Sequence, residues 1–137
     1  MTREDEISLI NNVTESPNRL MWINKQTDNI CMAAVQKDPM SIQYVKDQSE
    51  KICLTAISKD PMCLRYIKPK NQTYNVCKAA IQKDGLCIKY VHDQTEELCL
   101  MAIEQCSVAI AFINDPSRKI CLAAITKDPF SIKYIHV

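Results

Sequence analysis

Glycine is almost absent from this chain of 137 residues, which contains only one, Gly85. Glycine-rich phosphate loops and dinucleotide-binding fingerprints need several glycines, because the backbone there approaches the ligand closely. Tight two-residue hairpin turns also favour glycine, so its scarcity argues against a β-rich fold. The sequence therefore gives little support to a nucleotide-binding enzyme or to a β-sheet protein.

An excess of charge of either sign is also lacking. Lys and Arg together number 17 against 16 Asp and Glu, which leaves a formal net charge of +1. A chain this close to neutrality has no overall field that would draw it onto nucleic acid or an anionic membrane. Any charged partner must therefore be recognised by a local patch.

Long apolar runs are missing as well. No segment approaches the roughly 18 apolar residues of a membrane span, and no membrane partner is predicted. The first nine residues include Arg3, Glu4, Asp5 and Glu6, and they lack the basic and then apolar profile of a secretory signal. We therefore expect an intracellular protein that is not secreted.

The most informative feature present is an internal repeat. An aromatic column recurs at spacings of 22, 22, 24, 22 and 22 residues, and a cysteine column recurs at 22, 24, 22 and 22. The columns are Trp22, Tyr44, Tyr66, Tyr90, Phe112 and Tyr134, and Cys31, Cys53, Cys77, Cys99 and Cys121. Both share a two-residue insertion at Lys70 and Asn71, so chance is a poor explanation. A fixed period of this kind is typical of stacked repeat proteins.

Each repeat contains two helix-start signals. Asp followed by Pro, or by Gly85 in one unit, opens the first helix. Asp accepts hydrogen bonds from first-turn amides, and Pro has no amide to leave unpaired. Thr or Ser opens the second helix, four residues before the cysteine column. The aspartates are Asp38, Asp60, Asp84 and Asp128, and the second-helix caps are Thr27, Ser49, Thr73, Thr95 and Ser117. We expect a first helix of about eight residues and a second of about ten, joined by polar turns.

The predicted fold is all-α, an α-solenoid of about five short helical hairpins with an extra helix at each end. The apolar positions spread around each helix, as expected where it packs on its own partner and on both neighbouring units. Small residues such as Ala34 and Ala56 would let the helix axes approach closely. The predicted single domain, 1–137, comprises a capping helix at 1–15, repeats at about 16–37, 38–59, 60–83, 84–105 and 106–127, and a terminal half repeat at 128–137.

The repeat unit resembles a known family. From Pro17 to Ile135, the units of 22 to 24 residues combine an Asp-initiated helix, a Leu/Ile-x-Tyr core and an Ile-Cys-Leu-x-Ala-Ile second helix. These features are similar to a helical-hairpin repeat family of unknown function that is abundant in giant DNA viruses of amoebae and in some intracellular bacteria. The resemblance implies a viral or effector-like intracellular repeat protein, found in the host cytoplasm or in the virion if viral. It brings no catalytic or binding residues.

Eight cysteines leave three alternatives, a disulfide scaffold, a metal site or a reduced core. Successive members of the cysteine column should lie one interhelical distance apart, about 8–10 Å, whereas a disulfide needs Cα atoms within about 7 Å. The chain lacks the Cys-x-x-Cys and Cys-x-x-His spacings of zinc sites. Cys63 and Cys87 share a column with Ser41, Ala109 and Ser131, which indicates a position that needs a small side chain. We expect reduced structural cysteines and neither metal nor cofactor.

Catalytic groups are not apparent either. His92 and His136 align with Lys46, Lys68 and Asn114, a position that accepts any polar residue and is expected to be exposed and non-catalytic. No serine or cysteine has a recognisable base and orienting group arranged with it. An enzyme would need a deep pocket lined by polar groups. We therefore predict that the protein is not an enzyme.

A basic stripe on the outward side of the first helices is the leading candidate for an interaction surface. Its members are Arg65, Lys89 and Lys133, followed one turn later by Lys46, Lys68 and His92. The aromatic column beside it is a candidate base-stacking ladder. Its aliphatic neighbours, such as Val45 and Ile67, instead favour a place in the core.

These features predict a non-enzymatic scaffold that mediates protein–protein interaction or self-assembly, because repeat arrays offer extended surfaces rather than pockets. The last unit has no second helix over Phe130, Ile132 and Ile135, and such an exposed end predicts a homo-oligomer or a docked protein partner. The alternative is nucleic-acid binding along the basic stripe, with an affinity that falls steeply as salt is added.

Overall fold

The computed structural model describes residues 1–135, and every regular element in that range is helical. The α-helices are α1 (Arg3–Glu15), α2 (Asp28–Lys37), α3 (Glu50–Lys59), α4 (Tyr74–Lys83), α5 (Glu96–Gln105) and α6 (Arg118–Lys127). The 3₁₀ helices are η1 (Pro17–Trp22), η2 (Pro39–Tyr44), η3 (Pro61–Tyr66), η4 (Pro69–Asn71), η5 (Gly85–Tyr90), η6 (Ser107–Phe112) and η7 (Pro129–Tyr134).

The helices stack in sequence order as two layers. Each α-helix packs against the next α-helix, and the long 3₁₀ helices pack side by side in the second layer. The long 3₁₀ helices between two α-helices contact both of them. The predicted all-α solenoid is confirmed. Its predicted terminal half repeat, 128–137, extends beyond the described residues at its last two positions.

The first helix of each unit is shorter and tighter than expected. The sequence predicted about eight residues, whereas η2 has six and is a 3₁₀ helix. The amide of Ser41 donates to the Asp38 carbonyl at 3.0 Å, and that of Val45 donates to the Ile42 carbonyl at 3.1 Å, both in the 3₁₀ pattern. Val45 then adopts an extended backbone and is buried. The extended backbone of Val45 therefore ends the helix after six residues.

The predicted caps of both helix types are confirmed. Asp38 Oδ1 accepts from the Met40 amide at 3.0 Å at the start of η2, and Asp60, Asp84 and Asp128 cap η3, η5 and η7 in the same way. Ser49 Oγ accepts from the Ile52 amide at 3.3 Å at the start of α3. The equivalent caps of α2, α4, α5 and α6 are Thr27, Thr73, Thr95 and Ser117. These bonds satisfy amides that a short helix would otherwise leave unpaired.

One apolar core runs from Val13 to Ala124 without a break. The alanine column is fully buried between the layers, at Ala34, Ala56, Ala80, Ala102 and Ala124. Gly85 marks a close approach of η5 and α5, because a Cβ there would lie 2.6 Å from the Ala102 carbonyl oxygen and 2.9 Å from Gln105 Cβ. The single glycine therefore serves helix packing rather than a turn. No helix in the range 1–135 has both the length and the apolar character that a bilayer crossing needs.

Candidate functional site

Two predicted columns come together on the exposed side of the 3₁₀ layer. We name this feature the cation–aromatic ridge, formed by Arg65, Tyr66, Lys89, Tyr90 and Phe112. The guanidinium carbon of Arg65 lies 5.0 Å from the centroid of the Tyr66 ring and 6.0 Å from that of Tyr90. The ammonium nitrogen of Lys89 lies 5.1 Å from the Tyr90 centroid and 5.3 Å from that of Phe112. Each cation thus bridges the ring of its own repeat and the ring of the next.

The ridge arises because a cation precedes the aromatic residue in η3 and η5, and because neighbouring 3₁₀ helices lie side by side. Arg65 and Lys89 remain exposed, and Tyr66 and Tyr90 are half-buried. A cation over an aromatic ring at an exposed site contributes about 0.5–1 kcal/mol. The contacts therefore favour conformers in which both charged groups lie over the rings and still face solvent.

The ridge stops where the cation is replaced. Ala111 occupies the cation position of η6, and Lys133 lies beyond this gap, with its nitrogen 5.1 Å from the Tyr134 centroid. At the other end, Met21 and Gln43 hold the cation positions of η1 and η2. The predicted basic stripe is thus continuous only from Arg65 to Lys89.

The prediction that the aromatic column lies in the core was wrong for two of its members. Trp22 is 77% exposed and Phe112 is 38% exposed. Tyr44, Tyr66, Tyr90 and Tyr134 are half-buried and pack against the core from its edge. The rings of Tyr66 and Tyr90 lie at this edge of the core. Each ring packs against the core on one side and contacts a cation on another.

The second row of the predicted surface lies apart from the ridge. Lys46, Lys68 and His92 are exposed, as expected, and follow the 3₁₀ helices. Their backbone amides donate to glutamine side chains at 2.9, 2.9 and 2.8 Å. Lys46 Nζ also donates to the Asn24 carbonyl at 3.0 Å. His136, which the sequence places in the same row, lies outside the described residues.

Sequence reasoning missed the residues that join the repeats. We name Gln26, Gln48, Gln72 and Gln94 the glutamine clamps. The side-chain amide of Gln48 donates to the carbonyls of Ile42 and Tyr66, each at 3.0 Å, and its oxygen accepts from the Lys68 amide at 2.9 Å. One side chain thus joins the 3₁₀ helices of two repeats. The signal was present, because these glutamines recur at spacings of 22, 24 and 22, one residue before the Thr or Ser caps of α2, α3, α4 and α5.

The fifth repeat has Pro116 at the clamp position. Proline has no side-chain amide, so it cannot join η6 to η7 in this way. Asp115, just before it, has a φ of 49°, in the left-handed region that aspartate tolerates better than most residues. An open cleft of about 500 Å³ lies beside Pro116 and is lined by Ile110, Ile113 and Ile135, among others. The last junction between repeats is therefore built differently from the others.

All eight cysteines are free thiols, and six of them are buried. Burial raises the pKa of Cys63 and of Cys87 to about 12, with Asp60 and Asp84 respectively as the next causes. Burial likewise raises the pKa of Cys31, Cys53, Cys77 and Cys99 to about 11. Thiols of this kind stay protonated at neutral pH and are poor nucleophiles. Within 1–135, no group of three or more His, Cys, Asp or Glu side chains is placed to hold a metal ion.

Exposed apolar side chains are concentrated at the two ends of the solenoid. Phe130 is 78% exposed and Ile132 is 64% exposed, in agreement with the predicted open end. Ile135 is half-buried against the core, so the expectation was wrong for this residue. At the opposite end Ile7, Met21 and Trp22 are exposed. The sequence had indicated only the first of these two surfaces.

Residues 27–72 match a protein family described as a domain of unknown function, DUF4116. The match runs from the Thr27 cap to the Gln72 clamp and includes α2, η2, α3 and η3. No curated protein and no solved structure matches the chain. A helical repeat architecture and a family of uncharacterised function are thus supported. The resemblance to repeats of giant viruses and intracellular bacteria stays a prediction.

Proposed function

We propose that this chain is a non-enzymatic repeat scaffold that binds a protein partner through the cation–aromatic ridge. The supporting observation is the ridge itself, in which Arg65 and Lys89 are held between aromatic rings while facing solvent. Aromatic residues and arginine are enriched among the side chains that dominate the energy of protein interfaces. Side chains already fixed by their neighbours lose little conformational entropy when a partner binds.

The chemistry of the ridge favours a partner segment that presents carboxylates. The exposed guanidinium of Arg65 and ammonium of Lys89 are the charged groups that such a segment would meet first. The exposed part of Phe112 offers an apolar contact at the end of the row. An extended acidic segment with one apolar side chain would therefore satisfy both ends of the ridge.

The non-enzymatic and intracellular parts of the proposal rest on the cysteines and on the family resemblance. Buried thiols with a raised pKa suit packing rather than nucleophilic catalysis. Eight free cysteines in 137 residues suit the reducing interior of a cell. The viral or effector-like origin, in a host cytoplasm or a virion, is proposed from the resemblance of the repeat unit.

Nucleic-acid binding is the second candidate, because alternating cations and rings are typical of surfaces that bind single strands. In such surfaces the bases stack on the faces of the rings. Here Arg65 and Lys89 lie 5.0–6.0 Å from the centroids of the ridge rings and occupy faces that bases would need. This arrangement ranks a protein partner above a nucleic acid.

Fluorescence polarisation with two probes tests the proposal. One probe is a labelled peptide of glutamates around a central leucine, and the other is labelled oligothymidine. We expect the peptide to bind and the Arg65→Glu/Lys89→Glu variant to weaken its affinity roughly tenfold or more, since two charge contacts are reversed. The control, Lys51→Glu/Lys70→Glu, changes the net charge by the same amount at exposed positions away from the ridge and should bind as the parent chain does.

Three outcomes would count against the ridge as a protein-binding surface. An equal loss in both variants would show that only net charge matters. Tighter binding of oligothymidine, with a steep decrease as salt is added, would favour the nucleic-acid alternative. Failure of both probes to bind at low salt would remove both candidates.

A further inference from the structure

We propose that copies of this chain associate head to tail, so that the C-terminal face of one solenoid packs on the N-terminal face of a second copy. The C-terminal face comprises Leu122, Phe130, Ile132 and Lys133, and the N-terminal face comprises Ile7, Met21 and Trp22. The proposal goes beyond partner binding on the ridge and does not depend on it. It rests on how the repeats already pack against one another inside the chain.

The C-terminal face exposes one position that every earlier repeat buries. Ile132 is 64% exposed, whereas Ile42, Leu64, Ile88 and Ile110, which hold the same position in η2, η3, η5 and η6, are at most 1% exposed. The earlier residues belong to 3₁₀ helices that pack against the α-helix and the 3₁₀ helix that follow them. Leu122 on α6 and Phe130 on η7 are exposed beside Ile132. The face is therefore one half of the internal packing surface.

The N-terminal face lies on the side where a preceding repeat would pack. Ile7 in α1 and Lys119 in α6 occupy equivalent positions. Each lies eight residues before the last residue of its helix, which is Glu15 in α1 and Lys127 in α6. Lys119 contacts the preceding helix, with its nitrogen 3.4 Å from Glu96 Oε1. Ile7 thus lies at the rim of the side of α1 that a preceding helix would contact, since the equivalent residues of α2 to α6 remain exposed. An α6 from another copy fits that role.

The cation–aromatic contacts identify one residue pair across the proposed junction. Inside the chain, Arg65 and Lys89 each reach forward to the ring of the following repeat, at 6.0 and 5.3 Å. Lys133 is the last cation of this series and Trp22 is the first ring of the aromatic column. In a head-to-tail assembly, Lys133 of one copy would lie over Trp22 of the next. Tryptophan is the strongest aromatic partner for a cation.

The charges of the two ends are also complementary. Helix α1 carries four carboxylates and one arginine, a net charge of −3, and the segment Arg118–Tyr134 carries four cations and one carboxylate, a net charge of +3. The first residue of the α-helices is acidic in α2, α3 and α5 but is Arg118 in α6. Opposite charges attract head to tail and oppose packing of two like ends. A heterologous contact that does not close on itself extends into an open chain.

Two variants that each block one end provide the test. The N-blocked variant is Ile7→Lys/Trp22→Lys, and the C-blocked variant is Phe130→Glu/Ile132→Glu. All four residues are exposed, so we expect both variants to fold, as circular dichroism would verify. In sedimentation velocity the parent chain should sediment faster as its concentration rises towards the millimolar range. Each variant alone should remain a monomer, and their equimolar mixture should form a heterodimer.

The fluorescence of Trp22 reports directly on formation of the proposed junction. Trp22 is the only tryptophan, so the N-blocked variant has none and all tryptophan emission of the mixture comes from the C-blocked variant. We expect that emission to shift on mixing, because Trp22 becomes buried. Adding Lys133→Ala to the N-blocked variant should weaken the heterodimer roughly tenfold, whereas adding the control Lys51→Ala should leave its affinity unchanged.

Several results would overturn the proposal. A parent chain that stays monomeric at millimolar concentration would do so, as would a mixture that forms no heterodimer. An N-blocked variant that dimerises alone would indicate packing of two C-terminal faces instead. The Arg65→Glu/Lys89→Glu variant should still assemble, and the C-blocked monomer should still bind the acidic peptide, so the two proposals fail independently.

Discussion

At the scale of single residues, the glutamine clamps show why an amide is needed between repeats. Gln48 is buried, at 3% exposure, and its amide nitrogen donates to two carbonyls while its oxygen accepts from the Lys68 amide and from Asn71 Nδ2. A glutamate at this position would lack both donors, and a methionine would lack donors and strong acceptors. Only a side chain with both functions satisfies the ends of two 3₁₀ helices at once.

Replacement of Gln48 should lower the free energy of unfolding even when the new side chain has the same volume, because the hydrogen bonds of Gln48 are lost. Gln48→Met keeps the volume but leaves the Ile42 and Tyr66 carbonyls without this donor, so we expect a loss of about 2 kcal/mol or more in the free energy of unfolding. The exposed Gln43, whose amide bonds only to the nearby Met40 carbonyl at 3.1 Å, provides the control. Gln43→Met should cost less than about 0.5 kcal/mol. Urea titration of both variants measures the difference, and equal midpoints would refute the role given to the clamp.

The residues predicted correctly from the sequence were those whose role is local. Ser49 and Asp60 were identified as caps because a cap bonds to an amide two or three residues further along the chain. Gln48 acts on a carbonyl 18 residues away, and its place in a polar link suggested only solvent exposure. Both columns of the ridge were identified, but the contacts between them were missed for the same reason. These contacts arise only when neighbouring repeats are placed side by side.

At the scale of the elements, four of the 3₁₀ helices are capped by the aspartate that precedes them. Asp38, Asp60, Asp84 and Asp128 each accept a hydrogen bond at 3.0 Å from the amide two residues later. No such side-chain bond is made at the start of η1, η4 or η6. Cys106 is the residue that precedes η6. The helix still forms, because Ala109 and Ile110 are buried in the core. Packing therefore compensates for the missing cap, as expected for helices too short to be stable alone.

Cys106→Asp should restore the cap and stabilise the chain. We expect a gain of about 1 kcal/mol, since a carboxylate would accept from the Val108 amide as its equivalents do in the other repeats. Cys106→Ala, which removes the thiol without providing an acceptor, is the matched control. Thermal unfolding under reducing conditions compares the two. An aspartate variant no more stable than the alanine variant would show that packing alone fixes η6.

At the scale of the whole molecule, stability depends on the junctions between neighbouring repeats. In a solenoid each unit contacts only its neighbours, so the weakest junction determines where the array opens first. Gln26, Gln48, Gln72 and Gln94 each bond to the unit that follows, whereas the fifth repeat has Pro116 instead. The all-α stacking was predictable from the period of the sequence. The unequal strength of the junctions was not, because it depends on bonds between units.

Hydrogen exchange measured by mass spectrometry should detect this weak junction. We expect the amides of α6 to exchange faster than those of α3 in the parent chain, because local opening of α6 and η7 breaks no glutamine clamp. Pro116→Gln should slow exchange in α6 by an amount equivalent to about 1 kcal/mol, since the new amide would reach the carbonyls of Ile110 and Tyr134. Pro116→Ala removes the ring without adding the amide and controls for backbone effects. If both variants protect α6 equally, the difference lies in the proline ring and the strained Asp115 backbone rather than in the missing clamp.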